Sequence, residues 1–287
     1  MTHKVNSPII IIGMHRSGTS MISGLLQEAG LFIGKGKDIH SEAPFFINTN
    51  NWLLKQSGAS WDNPESFRHL LRHKGARSLA AKYIRYIMRT PRAVNFLGLK
   101  NYVRYRSPES LDFPWGWKDP RTTITLPIWL DIFPDARVVH IYRNGIDVAH
   151  SLNVRENGGF AYRSHAINDR RRLLYMLRPK RGGFTGSLRC ASLEGSFSLW
   201  EEYLDKAKVN IAGLKDNAVE IKYEDFLADP RRYLLFLTDF CGLDTNITRI
   251  EKTVEKVQKS RAYAYRNKPE LQPFSEKMSS RLSAYGY

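Results

Sequence analysis

The stretch PIIIIGMHRSGTSMISGLL, Pro8 to Leu26, decides how the rest of the chain is read. Four isoleucines in a row, Ile9 to Ile12, form a short β-branched run closed by glycine, the pattern of a strand buried on both faces of a parallel sheet. From Thr19 to Ala29 the apolar residues Met21, Ile22, Leu25 and Leu26 fall at helical spacing, and Gly30 suits a C-terminal cap. Between strand and helix, Gly13 and Gly18 have the spacing of a nucleotide P-loop, yet Thr19 stands where that loop has its lysine and Ser20 follows. The cation has moved into the loop as Arg16, beside His15. Backbone N–H groups and the helix N-terminus would still cradle an anion, with hydroxyls from Ser17, Thr19 and Ser20 and the planar fork of Arg16. The alternative is a glycine turn that binds nothing.

Working outward, strands and helices alternate. The spacing predicts helices over Phe45–Gln56 and Ser66–Arg89, a strand in WGWKDP ending before Pro120, and a helix over Ile124–Phe133 despite Pro127. It then predicts a strand over Ala136–Tyr142, a helix over Gly145–Asn157, and a loop around Gly182, Gly183 and Gly186. A long helix over Ser192–Leu214, a strand over Ala218–Tyr223 and a helix over Arg231–Cys241 complete the series, and the tail after about Lys268 shows little periodicity. The alternation indicates an α/β fold around a parallel sheet, with ligands at the carboxyl ends of the strands.

The chain has 287 residues, 42% hydrophobic and 25% charged, ordinary for a soluble globular protein. Two cysteines, Cys190 and Cys241, make neither a disulfide scaffold nor a metal cluster, and the longest early apolar run is too short for a signal peptide or membrane span, so a cytoplasmic protein is expected. The net charge is +16, which attracts anions of some kind: nucleic acid, anionic membrane or a multiply charged small ligand. No apolar strand ends in a clean aspartate, so the magnesium apparatus of a P-loop ATPase or kinase is missing, and a phosphate or sulfonate donor used without metal is preferred.

A second constellation is VVHIYRNGIDVAHSL, Val138 to Leu152. Arg143 closes a strand and Ser151 lies eight residues later on the next helix. A sharp turn at Asn144-Gly145 lets both converge on one phosphate, although the pair taken alone serves equally well as structure.

Together the two stretches resemble the sulfotransferases that use 3′-phosphoadenosine 5′-phosphosulfate (PAPS). That family's loop for the 5′-phosphosulfate is matched by Arg16, Ser17, Gly18, Thr19 and Ser20, and its Arg-x7-Ser element for the 3′-phosphate by Arg143 and Ser151. IKYEDFLADP, Ile221 to Pro230, resembles the stretch whose tyrosine lies near the adenine, which nominates Tyr223. WGWKDPR, Trp115 to Arg121, resembles the strand whose lysine reaches the transferred sulfuryl group, which nominates Lys118. The resemblance implies a P-loop-like three-layer fold with a central parallel sheet flanked by helices, one sulfotransferase domain over residues 1–287, PAPS as donor, adenosine 3′,5′-bisphosphate (PAP) as product, and no metal.

Two features depart from the cytosolic enzymes of the family. Pro120 stands where they carry a catalytic histidine, and their Arg-Lys-Gly cap near the C-terminus is missing. The basic segment KVQKSRAYAYR, Lys256 to Arg266, stands in for that cap, with Arg261 as the expected contact. The chain therefore looks closer to the bacterial and the tyrosine- or glycan-modifying branches, whose base is often a glutamate after the first helix.

In the implied reaction an acceptor hydroxyl or amine attacks sulfur in line, while Arg16, Lys118 and the loop N–H groups stabilise developing charge. Glu42 is the expected base, with Asn50 eight residues on as in several bacterial members. His40, Asp119 and His15 are alternatives, and Glu42 also reads as a cap for the helix beginning near Pro44. The acceptor is expected to be a small molecule, glycan or peptide, and the excess of positive charge permits an anionic one. Two other readings remain: a P-loop-like kinase or NTPase with an aberrant loop, and a basic nucleic-acid-binding protein, although no nucleic-acid motif appears.

Overall fold

The computed structural model describes residues 7–35, 42–168, 185–244 and 247–287. The chain forms two compact units: Met1–Arg143 with Tyr203–Ala262, and Asn144–Glu202 with Tyr263–Tyr287.

The first unit is built on four parallel strands, β1 (Ile9–Ile12), β2 (Gly116–Lys118), β3 (Arg137–Tyr142) and β4 (Ala218–Lys222), in the order β2-β1-β3-β4. Ile10 pairs with Trp117 on one side and Val138 on the other, and His140 pairs with Glu220. Because strand side chains alternate, Ile9, Ile11, Val139, Ile141 and Ile221 share one face. That face packs on α1 (Thr19–Glu28) through Ile22, Leu25 and Leu26, on α10 (Pro230–Cys241) through Leu234 and Leu237, and on α11 (Ile247–Val254) through Ile250.

The opposite face carries Ile10 and Trp117, and its cover is aromatic. Phe46 of α2 (Pro44–Lys55) stacks on Trp117 at 4.2 Å with rings 3° from parallel, and Trp129 of α6 (Thr122–Ile132) approaches Trp117 at 4.8 Å. Helices on both faces of a parallel sheet make the three-layer α/β architecture that the alternating pattern implies. Pro127 sits inside α6 and cannot bond to the Thr123 carbonyl four residues earlier. Asn210 Nδ2 donates to that carbonyl instead, at 2.8 Å, which is how the helix survives its proline.

The expected helix over Ser66–Arg89 is two helices, α3 (Phe67–Arg72) and α4 (Lys74–Met88). His73 between them is extended, and its Nδ1 accepts from Ala76 N at 3.1 Å, capping α4. Capping of this kind leaves no mark on apolar spacing, so the break was illegible in the sequence. Past a short turn follows α5 (Val94–Tyr105), interrupted at Gly98, where φ is +72°.

The second unit contains α7 (Gly145–Asn168), the first half of α8 (Leu193–Ile211), and α12 (Gln272–Ser283); the short α9 (Tyr223–Ala228) belongs to the first unit. Helix α7 runs past the expected end at Asn157, through Gly158 and Gly159. The expectation of a weakly structured tail after Lys268 is overturned by α12. Phe274, Met278 and Leu282 are buried at a spacing of four, Phe274 meets Phe197 edge-on at 6.1 Å, and Lys277 and Arg281 pair with Glu194 and Glu201. Three apolar residues among nine others give a weak period, although they suffice for one buried stripe. The loop expected at Gly182 and Gly183 lies outside the described residues.

Candidate active site

The loop from Gly13 to Gly18 follows β1, and its backbone is unusual. Arg16 holds φ at +71° and Gly18 at +92°, both left-handed, and the turn is closed by Ser17 N, which donates to the Met14 carbonyl at 3.2 Å. Gly18 has no substitute: a Cβ there would lie 2.3 Å from Cδ2 of Tyr223. Thr123 at the start of α6 pins the loop's entry, its Oγ1 accepting from Gly13 N at 3.0 Å. Helix α1 starts at Thr19 with no side chain capping its N-terminus and no acidic residue in its first turn. Ser17 Oγ is fully buried beside it and makes no hydrogen bond. A buried hydroxyl without a partner at an uncapped helix N-terminus fits a phosphate or phosphosulfate.

At the carboxyl end of β2, Lys118 is 1% exposed, and its Nζ donates to Glu42 Oε1 at 2.9 Å and to Ser20 Oγ at 3.1 Å. One buried ammonium therefore joins a hydroxyl in the first turn of α1 to the carboxylate that precedes α2. Arg121 reaches the other carboxylate oxygen at 3.5 Å. Burial pushes the Glu42 carboxyl above its ordinary value, against the pull of Lys118 and Arg121, and the nearby Asp119 carboxylate pushes the same way.

Asp119 is fully buried and held at both carboxylate oxygens. Its Oδ1 accepts from the Arg121 guanidinium at 2.9 Å and the Arg121 backbone N at 3.0 Å, and its Oδ2 from Asn50 Nδ2 at 2.8 Å. Asn50 is held in turn by Thr125 Oγ1 and Trp129 Nε1, which donate to its Oδ1 at 2.7 and 2.8 Å. Asp119 therefore positions Arg121, which faces Glu42. This chain of contacts gives Arg121 work in the site that sequence reading did not assign, and it ties Asn50, expected there for its spacing from Glu42, to Asp119. For Arg121 the only signal was the run of charges in KDPR.

His15 presents its ring edge to Trp61 at 4.9 Å, and the Tyr203 hydroxyl donates to the Trp61 carbonyl at 2.8 Å, so an aromatic wall stands beside the loop. Arg143 closes β3 half-buried, its guanidinium 4.9 Å from the centre of the Tyr223 ring, and donates to the Arg261 carbonyl at 2.8 Å. Tyr223, 3% exposed, thus lies between Gly18 and Arg143 and joins the two constellations that the sequence kept apart. Arg261 is present at this point through its backbone, with an exposed side chain. Ser151 lies on α7 in the second unit, half-buried, and His40 lies outside the described residues.

Among the described residues no group of three His, Cys, Asp or Glu side chains could hold a metal ion, and no helix is long and apolar enough to cross a membrane. Cys190 and Cys241 are free and buried, and burial pushes the Cys241 thiol up to about 12.

Residues 8–246 match the profile described as "Sulfotransferase family". Among solved structures, the sulfotransferase domain from the olefin synthase of Synechococcus PCC 7002 superposes with a TM-score of 0.50 at 17% identity, covering 100% of this chain and 97% of that one. The sulfotransferase domain from the curacin biosynthetic pathway gives 0.52 at 12% identity, over 96% and 99%. At such identities the likeness is one of fold. No curated protein matches the chain.

Proposed function

This chain belongs to the sulfotransferase family, an enzyme of sulfuryl transfer, and we propose that its donor is PAPS and its acceptor a hydroxyl or amine on a small molecule, glycan or peptide. The observation that carries this reading is the contact of Lys118 with both Ser20 in the first turn of α1 and Glu42. A cation and a carboxylate of raised pKa meet at the mouth of an anion-binding loop, which is the pairing that sulfuryl transfer needs. The donor, when bound, supplies an activated sulfuryl group on a phosphate leaving group.

The residues then divide the work. The loop N–H groups, Ser17 Oγ and Arg16 hold the 5′ end, and Thr19 and Ser20 add hydroxyls. Arg143, with Tyr223 beneath it, offers its fork to the 3′-phosphate; the parts of Ser151 and Arg261 in that contact, and of Tyr223 beside the adenine, rest on the resemblance alone. Lys118 moves from Glu42 toward the sulfuryl oxygens as charge develops. That exchange releases Glu42 from its shorter ion pair, leaves it facing Arg121, and makes it the stronger base for the acceptor proton. The lysine thus serves catalysis twice, as electrophilic stabiliser and as the group whose departure arms the base. We place the enzyme in the cytoplasm, working as one sulfotransferase domain over residues 1–287, and two free buried thiols support that compartment.

The test is calorimetry with PAP and AMP in the presence of a chelator. PAP should bind much more tightly than AMP, and Arg143→Ala should lose most of that preference, since arginine–phosphate pairs are among the stronger charge-assisted contacts. Equal affinity for the two nucleotides, or ATP turnover that requires magnesium, would overturn the assignment.

A further inference from the structure

The net charge of +16 is not spread over the chain. Between Ser66 and Pro108 there are 11 Lys and Arg and no Asp or Glu, so this one segment carries +11 of it. The segment is α3, α4 and α5, all in the first unit. Acidic residues outside the segment answer four of the cations, pairing Arg68 with Glu65, Arg77 with Asp131, Arg89 with Glu109 and Arg104 with Asp112. The other seven, among them Lys74 and Lys82, make no ion pair among the described residues; one of them, Arg85, donates to the Asp131 carbonyl at 2.6 Å and meets no carboxylate. A donor cradle cannot explain them. Asp131, at the foot of this surface, is ten residues along α6 from Arg121, or about 15 Å at helical rise.

This surface has shape and apolar content as well as charge. Lys74, Arg77, Lys82 and Arg85 line a groove of about 400 Å³ between α4 and the end of α6. Next to it on α4, Leu79 and Tyr86 are each 68% exposed, with Lys82 between them at helical spacings of three and four. Among the described residues, four of the eight exposed large apolar side chains lie in this segment, Leu99 and Val103 being the others. Exposed apolar side chains beside unanswered cations mark a surface that awaits a partner.

We propose that the outer face of α4 and its groove dock an acidic protein, through a helix or extended segment that sets carboxylates against Lys74, Lys82 and Arg85 and apolar side chains against Leu79 and Tyr86. A nucleic-acid duplex would answer the cations and leave Leu79 and Tyr86 without a complement. A bilayer would meet the raised side chains and leave the groove empty. This inference is independent of the sulfotransferase reading and adds a second anion-binding surface to the donor loop.

The test titrates the full-length protein into a labelled synthetic amphipathic helix, glutamates on one face and leucines on the other, near physiological ionic strength. A glutamine version of the peptide, duplex DNA and phosphatidylglycerol vesicles run beside it. The protein should bind the glutamate peptide more tightly than all three, and Lys74→Glu/Lys82→Glu should weaken that binding at least about tenfold. Leu79→Ser/Tyr86→Ser should weaken it too, and PAP affinity should stay unchanged in both variants, which shows that they are folded. Failure to bind the peptide, a smaller loss in the charge-reversed variant, or tighter binding of DNA or vesicles would each overturn the proposal.

Discussion

Replacing Lys118 by methionine is the most informative perturbation of this molecule, because the outcome follows from burial alone. Lys118 and Glu42 have side chains 1% and 9% exposed, and their ion pair measures 2.9 Å. Removing one partner of a buried pair costs roughly 3–5 kcal/mol, chiefly because the other charge is left uncompensated. Here Arg121 remains 3.5 Å from the second carboxylate oxygen, so the loss should fall at the low end, about 3 kcal/mol near pH 8. It should also depend on pH, in a definite direction. The Glu42 carboxyl already lies above its ordinary 4.5 in the folded protein, and losing the ammonium raises it further. Between 4.5 and that raised value the native state binds more protons than the unfolded one, so stability falls as pH rises through the window. Below it Glu42 is neutral in both states, and most of the penalty disappears. Urea unfolding of wild type, Lys118→Met, Glu42→Gln and the double variant, at pH 5 and pH 8, measures all of this. The double variant should lose less than the sum of the two singles by about 2–3 kcal/mol, as contacting residues do. A Lys118→Met loss below about 1 kcal/mol at pH 8, or one that is flat in pH, or strict additivity, would refute the view that this pair is a buried charge unit.

Three further outcomes follow from the same geometry. Glu42→Gln should keep PAP affinity while kcat falls by roughly 10²-fold or more and loses its acidic limb; near-normal turnover with a true acceptor would pass the base to another group. Gly18→Ala forces a Cβ into the Tyr223 ring at a left-handed φ, so nucleotide binding should collapse with a stability loss of about 1–3 kcal/mol, and calorimetry showing unchanged binding would contradict the loop geometry. Phe274→Ala should destabilise the protein by about 3–5 kcal/mol in thermal or urea unfolding, and a neutral result would mean that α12 contributes nothing to the core of its unit.

Local chemistry determined much of this protein. A four-isoleucine run with a glycine loop and an amphipathic helix behind it specifies strand, turn and helix through interactions between near neighbours, and the structure has the strand and the helix where the spacing puts them. Arg143 at a strand end and Lys118 at another were legible for the same reason, since strand termini can be read from the residues beside them. Tertiary structure alone decided what these groups touch. That Lys118 holds Glu42, 76 residues away, and that Asp119 is occupied in orienting Arg121 while Asn50 holds Asp119, depend on contacts between elements far apart in the chain, for which spacing carries no signal. The cap at His73 and the buried stripe of α12 were hidden similarly, because one hydrogen bond and three apolar side chains are too little pattern to read until the surfaces they meet are in place. The charge of the segment from Ser66 to Pro108 was visible in the sequence from the start. Only the folded chain shows which of its cations are answered, because the carboxylates that answer them come from outside the segment.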